Sequence, residues 1–291
     1  MLGTRPEGAG HLQPDRRAGI WYSAAMNSTA PWTAARLRGL KGREKIISLT
    51  AYDFATARLL DESGIHLVLV GDSLGMTVLG YENTLPVTMR DMVHHTAAVA
   101  RGVKQALVVA DMPFMSYQVS IEQALANAGR FLKVGAHAVK IEGGEQRVPL
   151  IRALVANGIP VLGHIGLTPQ SVQEFGGYKV QGKTEAAAKQ LLRDARAIAK
   201  AGVFALVIEG VPAAVARRIT AAVKVPTIGI GAGPQCDGQV LVIHDLLGLG
   251  GDWKPKFVKR YADLGAAAKA AIAEYKREVA AGKFPGPEHC Y

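Results

Sequence analysis

The stretch AVKIEGG, residues 138–144, places Lys140 and Glu142 two positions apart in a run that otherwise reads as a strand buried on both faces. Side chains alternate along a strand with period two, so both charges fall on the same side of it. Seven other runs share its character: IISLTAY (46–52), LVLVGDS (67–73), ALVVADMPF (106–114), VLGHIGL (161–167), ALVIEGV (205–211), TIGIGAG (227–233) and QVLVIHDLLGL (239–249). Each is short, apolar and β-rich, and each carries or leads into Gly, Asp, Glu or His toward its end.

The segments between these runs carry helical signals. FATARLLDESG spaces its apolar residues for a helix and ends on Gly64, which takes a left-handed cap at little cost. SIEQALANAGRFLKVGA opens on Ser120, a candidate N-cap, and ends at Gly135. EQRVPLIRALVANG and KTEAAAKQLLRDARAIAKAG close on Gly in the same way. Near-continuous apolar strands alternating with amphipathic helices imply a parallel sheet covered on both faces.

Eight such units predict an α/β fold of the (β/α)8 TIM-barrel type. A doubly wound open sheet is the competitor, but it usually has fewer strands, and no Gly-rich dinucleotide turn follows the first strand here. A chain of 291 residues suits one barrel with extensions. Residues 1–30 are read as an N-terminal extension, either a disordered arm or an over-long start with Met26 as initiator. Residues 31–260 make the barrel. Residues 261–291 form an Ala/Lys-rich helix and tail that pack outside the barrel or on a neighbouring subunit. The connections 74–92 and 168–184 are long and rich in Gly and Thr, as lids and interface elements often are.

The net charge of +10 lies mostly in residues 1–45 and 252–291, and only 6% of residues are aromatic. Basic residues interleaved with aromatics on one folded face are missing, which argues against nucleic acid as a partner. No apolar run reaches the length of a transmembrane helix, so no membrane span is expected. The two cysteines, Cys236 and Cys290, form neither a disulfide framework nor a metal cluster, in keeping with a cytoplasmic protein.

In a barrel the reactive groups come from the C-terminal ends of the strands. Those positions hold Asp72, Asp111, Lys140, Glu142, His164 and Glu209. Taken singly, an acid at a strand end is often an N-cap, the Lys140–Glu142 pair could be a structural ion pair, and His164 a hydrogen-bonded core histidine. Taken together, four carboxylates on four strands would repel one another unless a cation lay among them, and acids without Cys suit Mg²⁺. Lys140 and Glu142 are expected in the interior, with Glu142 nearer the mouth, since the helix layer would leave both charges against apolar side chains. Glu209, between Val207, Ile208 and Val211, is expected in the least polar surroundings, where the pKa of a general base rises. GIGAGP (229–234) is read as a tight turn rather than a phosphate loop, and His94–His95 as structural.

These strand ends and their loops resemble the ketopantoate hydroxymethyltransferase family. The resemblance runs from about Lys45 to about Arg260 and rests on LTAYDFATA, VGDSLGMTVLGYENTLPVTMRDM, VADMPFMSY, AVKIEGG, GHIGLTPQSV with FGGYKVQGK, VIEGVP, IGIGAGPQCDGQVLVIHDLLGL and PKFVKRYADL. It implies a cytoplasmic, Mg²⁺-dependent homo-oligomer, often decameric, acting in pantothenate biosynthesis. It implies one-carbon transfer from 5,10-methylenetetrahydrofolate to 3-methyl-2-oxobutanoate. It implies that Asp72 and Asp111 ligate the metal, with Glu142 a third, water-mediated contact. Ser73, Asp111 and Lys140 would touch the oxoacid, with Asp72 also at the substrate; His164 matches an active-site position, and Glu209 is the proton acceptor. The related phosphoenolpyruvate mutase and isocitrate lyase barrels generally carry a catalytic cysteine in a KKCGH-like loop, which is missing here. A lyase or aldolase that needs no folate, and a metal- or oxoacid-binding regulator, remain the alternatives.

Overall fold

The computed structural model describes residues 30–250 and 255–291, and Pro31–Tyr291 form one compact unit. The expectations for residues 1–29, including Met26, lie outside the described residues. Eight parallel strands close into a barrel in sequence order: β1 (Ile46–Thr50), β2 (Leu67–Val70), β3 (Leu107–Asp111), β4 (Ala138–Glu142), β5 (Val161–Gly166), β6 (Ala205–Glu209), β7 (Thr227–Ile230) and β8 (Gly238–Leu241). β8 pairs back onto β1, with Ile46 opposite Gly238.

Strand alternation divides the apolar residues into two layers. Leu107 and Val109 of β3, Ala138 of β4, Leu162 of β5 and Ala205 and Val207 of β6 share one cluster, the barrel interior. Val108, Ala110, Val139, Ile141, Leu206 and Ile208 point the other way, into the larger cluster beneath the helices. Interior positions beyond the apolar ones on β3 to β6 are Asp111, Lys140, Glu142, His164 and Glu209, so the pleat that buries the core also collects the polar groups at one mouth. Leu37, on the short helix Ala34–Arg38, is fully buried in the interior cluster and helps close the opposite end.

Helix boundaries follow the sequence signals closely. Ser120 Oγ accepts from the Gln123 amide and caps the helix Ile121–Lys133, while Asp53 caps Phe54–Glu62 in the same way. Gly64, Gly135, Gly158 and Gly202 all take positive φ where these helices end. Two expectations are corrected. The run 239–249 is a strand only to Leu241; Ile243–Leu247 is a helix, ended by Gly248 at φ 71°. The connection 74–92 is also more regular than expected: Leu74–Thr77 is helical, and Thr88 opens the helix Met89–Gly102 through a capping box with Asp91. GIGAGP is a turn, with Gly231 and Gly233 at positive φ. His95 Nδ1 lies 2.7 Å from the Tyr52 carbonyl oxygen, a structural contact.

Gly166 ends β5 at φ 97°, and a Cβ there would sit 2.2 Å from the carbonyl oxygen of Glu209. That oxygen accepts the Leu167 amide at 2.8 Å, so this close approach fixes the backbone of Glu209. Gly166→Ala is expected to destabilise the protein by about 2–4 kcal/mol, combining the left-handed strain with a clash against backbone. A thermal melt that leaves Tm unchanged would contradict this.

Candidate active site

Register brings the polar groups side by side. Asp111 is opposite Lys140 across β3 and β4, Glu142 is opposite His164 across β4 and β5, and Gly166 is opposite Glu209 across β5 and β6. Asp72 lies two residues beyond β2, and its backbone N–H donates to Asp111 Oδ2 at 3.1 Å. Asp72, Asp111, Lys140, Glu142 and His164 are all buried, and Glu209 keeps 17% of its side chain exposed at the mouth. Ser73 starts the helix Leu74–Thr77, and its hydroxyl lies 2.8 Å from that of Tyr52.

Lys140 is the pivot. Its Nζ lies 3.1 Å from Asp111 Oδ1, 3.6 Å from Glu142 Oε1 and 3.2 Å from His164 Nδ1. Burial disfavours the ammonium, but Asp111, Glu142 and Asp72 outweigh it and hold Lys140 protonated above its ordinary range. His164 stands between two acids, with Nδ1 3.5 Å from Glu142 Oε1 and Nε2 3.3 Å from Glu209 Oε2. Burial and the Lys140 charge lower its pKa, the two carboxylates raise it, and the balance pushes it up to about 9. Glu209 therefore faces an imidazole rather than the apolar shell expected from its sequence neighbours, because Ile208 turns outward to the helix layer.

The acids are unequally compensated. Burial, together with the charges of Asp111 and Glu142, drives Asp72 well above the usual carboxylate range. Burial also raises Asp111, although Lys140 opposes it, whereas for Glu142 Lys140 and His164 outweigh burial and bring the pKa down. Asp111 Oδ1 and Glu142 Oε1 are buried without a hydrogen-bond partner, close as they are to Lys140. Among the described residues no three His, Cys, Asp or Glu side chains form a ready-made metal cluster. A hard cation needs none: Mg²⁺ takes one or two carboxylates and completes its shell with water and substrate oxygens. The acid surplus and the two orphaned oxygens fit such an ion.

Two residues that the sequence did not single out complete the network. Gln170, buried in the connection after β5, donates from Nε2 to Asp72 Oδ2 (2.9 Å) and to the Met112 carbonyl (2.9 Å), and from its backbone N–H to Glu142 Oε2 (3.0 Å). Tyr117 donates its hydroxyl proton to Gln170 Oε1 at 2.7 Å and accepts the Glu142 amide at 3.2 Å. Farther along the same connection, the Tyr178 hydroxyl reaches Met76 Sδ at 3.4 Å. Burial and the charges of Asp72, Glu209 and Glu142 raise the Tyr178 pKa.

A family model described as ketopantoate hydroxymethyltransferase matches residues 31–287. The chain belongs to the ketopantoate hydroxymethyltransferase family. A relative from Syntrophobacter fumaroxidans, named 3-methyl-2-oxobutanoate hydroxymethyltransferase, is 59% identical over 258 residues, covering 88% of this chain and 92% of its own. One of the same name from Thermotoga maritima is 58% identical over 256 residues, covering 88% and 95%. Among solved structures, 2,3-dimethylmalate lyase, described as a member of the PEP mutase/isocitrate lyase superfamily, superposes with a TM-score of 0.56 at 19% identity, covering 88% and 92%. That likeness is one of fold. For ketopantoate hydroxymethyltransferase chemistry, the polar mouth of this barrel offers a surplus of acids, a fixed ammonium and a partly exposed carboxylate.

Proposed function

We propose that the protein is a 3-methyl-2-oxobutanoate hydroxymethyltransferase, carrying a one-carbon unit from 5,10-methylenetetrahydrofolate to C3 of 3-methyl-2-oxobutanoate to give 2-dehydropantoate, in pantothenate biosynthesis. The observation that carries this reading is the set of buried acids around Lys140 at one barrel mouth, with the partly exposed Glu209 at its edge. Carbon–carbon bond formation at C3 requires loss of its proton and stabilisation of the negative charge that spreads to the ketone oxygen. Asp72 and Asp111 would hold Mg²⁺, with Glu142 contacting it through water, and the ion when bound would supply electrostatic stabilisation of that charge.

The protein groups account for the rest. Lys140, kept charged by its acidic neighbours, binds the oxoacid beside Asp111, with Ser73 at the same substrate. Glu209 takes the C3 proton, and His164, 3.3 Å away, orients its carboxylate. The enolate carbon then attacks the methylene carbon of the folate as its bond to one folate nitrogen breaks, and water replaces the second C–N bond, supplying the hydroxyl oxygen and releasing tetrahydrofolate. The connection 168–184, tied to Asp72 and Glu142 through Gln170 and to Met76 through Tyr178, would limit water access to the enolate.

The enzyme is read as cytoplasmic and homo-oligomeric, with a decamer expected from the family. No helix among the described residues is long and apolar enough to cross a membrane. The C-terminal helix Leu264–Ala280 buries none of its residues and exposes Leu264, Ile272, Tyr275 and Val279, which supports packing of segment 261–291 on a neighbouring subunit.

The test is formation of 2-dehydropantoate from 3-methyl-2-oxobutanoate. Product is expected only with methylenetetrahydrofolate present, and chelation should abolish it. Turnover of oxoacids without folate would point instead to a lyase or aldolase, and oxoacid binding without turnover to a regulator.

A further inference from the structure

Each of the three buried acids has one oxygen engaged by an N–H donor. Asp111 Oδ2 accepts the Asp72 amide, Glu142 Oε2 accepts the Gln170 amide, and Asp72 Oδ2 accepts Gln170 Nε2. The remaining oxygens of Asp111 and Glu142 are the ones without hydrogen-bond partners. Two of the three donors thus belong to one residue, which contributes no charge and no metal-ligating oxygen: its Oε1 is taken by the Tyr117 hydroxyl at 2.7 Å and Gln118 Nε2 at 3.2 Å.

We infer that Gln170 is a positioning residue of the cation site, fixing Asp72 and Glu142 by one oxygen each so that their second oxygens stay presented to the ion. The role rests on the divalent-cation reading above. An amide suits it better than a charged group. A lysine would neutralise the acids and compete with the ion, and a carboxylate would repel Asp72 at 2.9 Å. The amide is itself oriented: with Oε1 held by Tyr117 and Gln118, its NH₂ must face Asp72 and the Met112 carbonyl. Gln170 also sits at the root of connection 168–184, in the turn Pro169–Ser171, so fixing the acids and anchoring the start of that segment are one arrangement.

The test is Mn²⁺ binding to the full-length protein, followed by electron paramagnetic resonance with no substrate present. Gln170→Met keeps length and apolar volume and removes both side-chain donors, while the backbone donor to Glu142 survives. Its Mn²⁺ affinity is expected to fall about 10- to 100-fold, the usual effect of losing a partner that orients a ligand. Wild-type affinity in Gln170→Met overturns the assignment. Should that variant fail to fold, Tyr117→Phe combined with Gln118→Ala, which removes both donors to Gln170 Oε1, decides: weaker Mn²⁺ binding than wild type supports the role, and unchanged binding overturns it. If the wild-type protein binds no Mn²⁺, it is the cation reading that fails, an outcome distinct from unchanged affinity in the variants.

Discussion

Glu209→Gln should abolish exchange of the C3 hydrogen of 3-methyl-2-oxobutanoate with solvent and lower turnover by about 10²- to 10⁴-fold, the range expected when a positioned general base is removed. The substitution is nearly isosteric, and the amide oxygen can still accept from His164 Nε2, which lies 3.3 Å from the carboxylate. Glu209 is partly exposed at the mouth, so its charge contributes little to the buried acid set. Cation binding should therefore stay close to wild type, and the loss should fall on kcat rather than on oxoacid KM. His164 loses one of the two carboxylates that raise it, so its pKa should drop below about 9. Exchange of the C3 proton at the wild-type rate would remove Glu209 as the base. Slowed exchange accompanied by lost Mn²⁺ binding would show that the variant disturbed the acid cluster instead.

The barrel was legible because its determinants are local. AVKIEGG alternates charge with Val139 and Ile141, and the same alternation on β3, β5 and β6 assigns a face to Asp111, His164 and Glu209 without tertiary knowledge. Glycines at helix ends were legible for the same reason: a left-handed cap is a property of one residue. The run 239–249 misled because three apolar β-rich residues, Val240 to Val242, lead directly into IHDLL, and over so few residues the periodicity does not separate strand from helix.

The site was legible residue by residue but not as a network. Strand-end acids announce themselves by interrupting an apolar run, whereas Gln170 lies in a polar loop where a Gln is unremarked. Its partners Asp72 and Glu142 are 98 and 28 residues away in sequence. Tyr117 is hidden likewise, with Gln170 lying 53 positions beyond it. The surroundings of Glu209 were misjudged because sequence neighbours on a strand point to opposite faces. Val207 shares its face but lies deeper, and the group that meets its carboxylate comes from the adjacent strand.

Lys140→Met should cost the metal-free protein about 3–5 kcal/mol, the usual penalty for removing one partner from a buried ion pair. Methionine matches the lysine stem in shape, so the buried volume is kept and the loss is electrostatic. Asp111 and Glu142 lose a cation at 3.1 and 3.6 Å, and Asp72 loses the main charge opposing its protonation. The three acids must then take up protons to stay buried. Their folded-state pKa values rise above the unfolded ones, so the native variant binds more protons than its unfolded chain, and stability falls as pH rises. The deficit against wild type should thus be largest above the raised folded pKa values and shrink as pH falls through them toward the ordinary carboxylate range. Melting the two proteins in parallel across that range, with chelator present, reads the difference directly. A deficit independent of pH would mean that the loss lies in packing and that Lys140 does not hold the acids ionised. Oxoacid affinity should fall with it if, as proposed, the ammonium that pairs with Asp111 and Glu142 in the empty site also meets the substrate carboxylate.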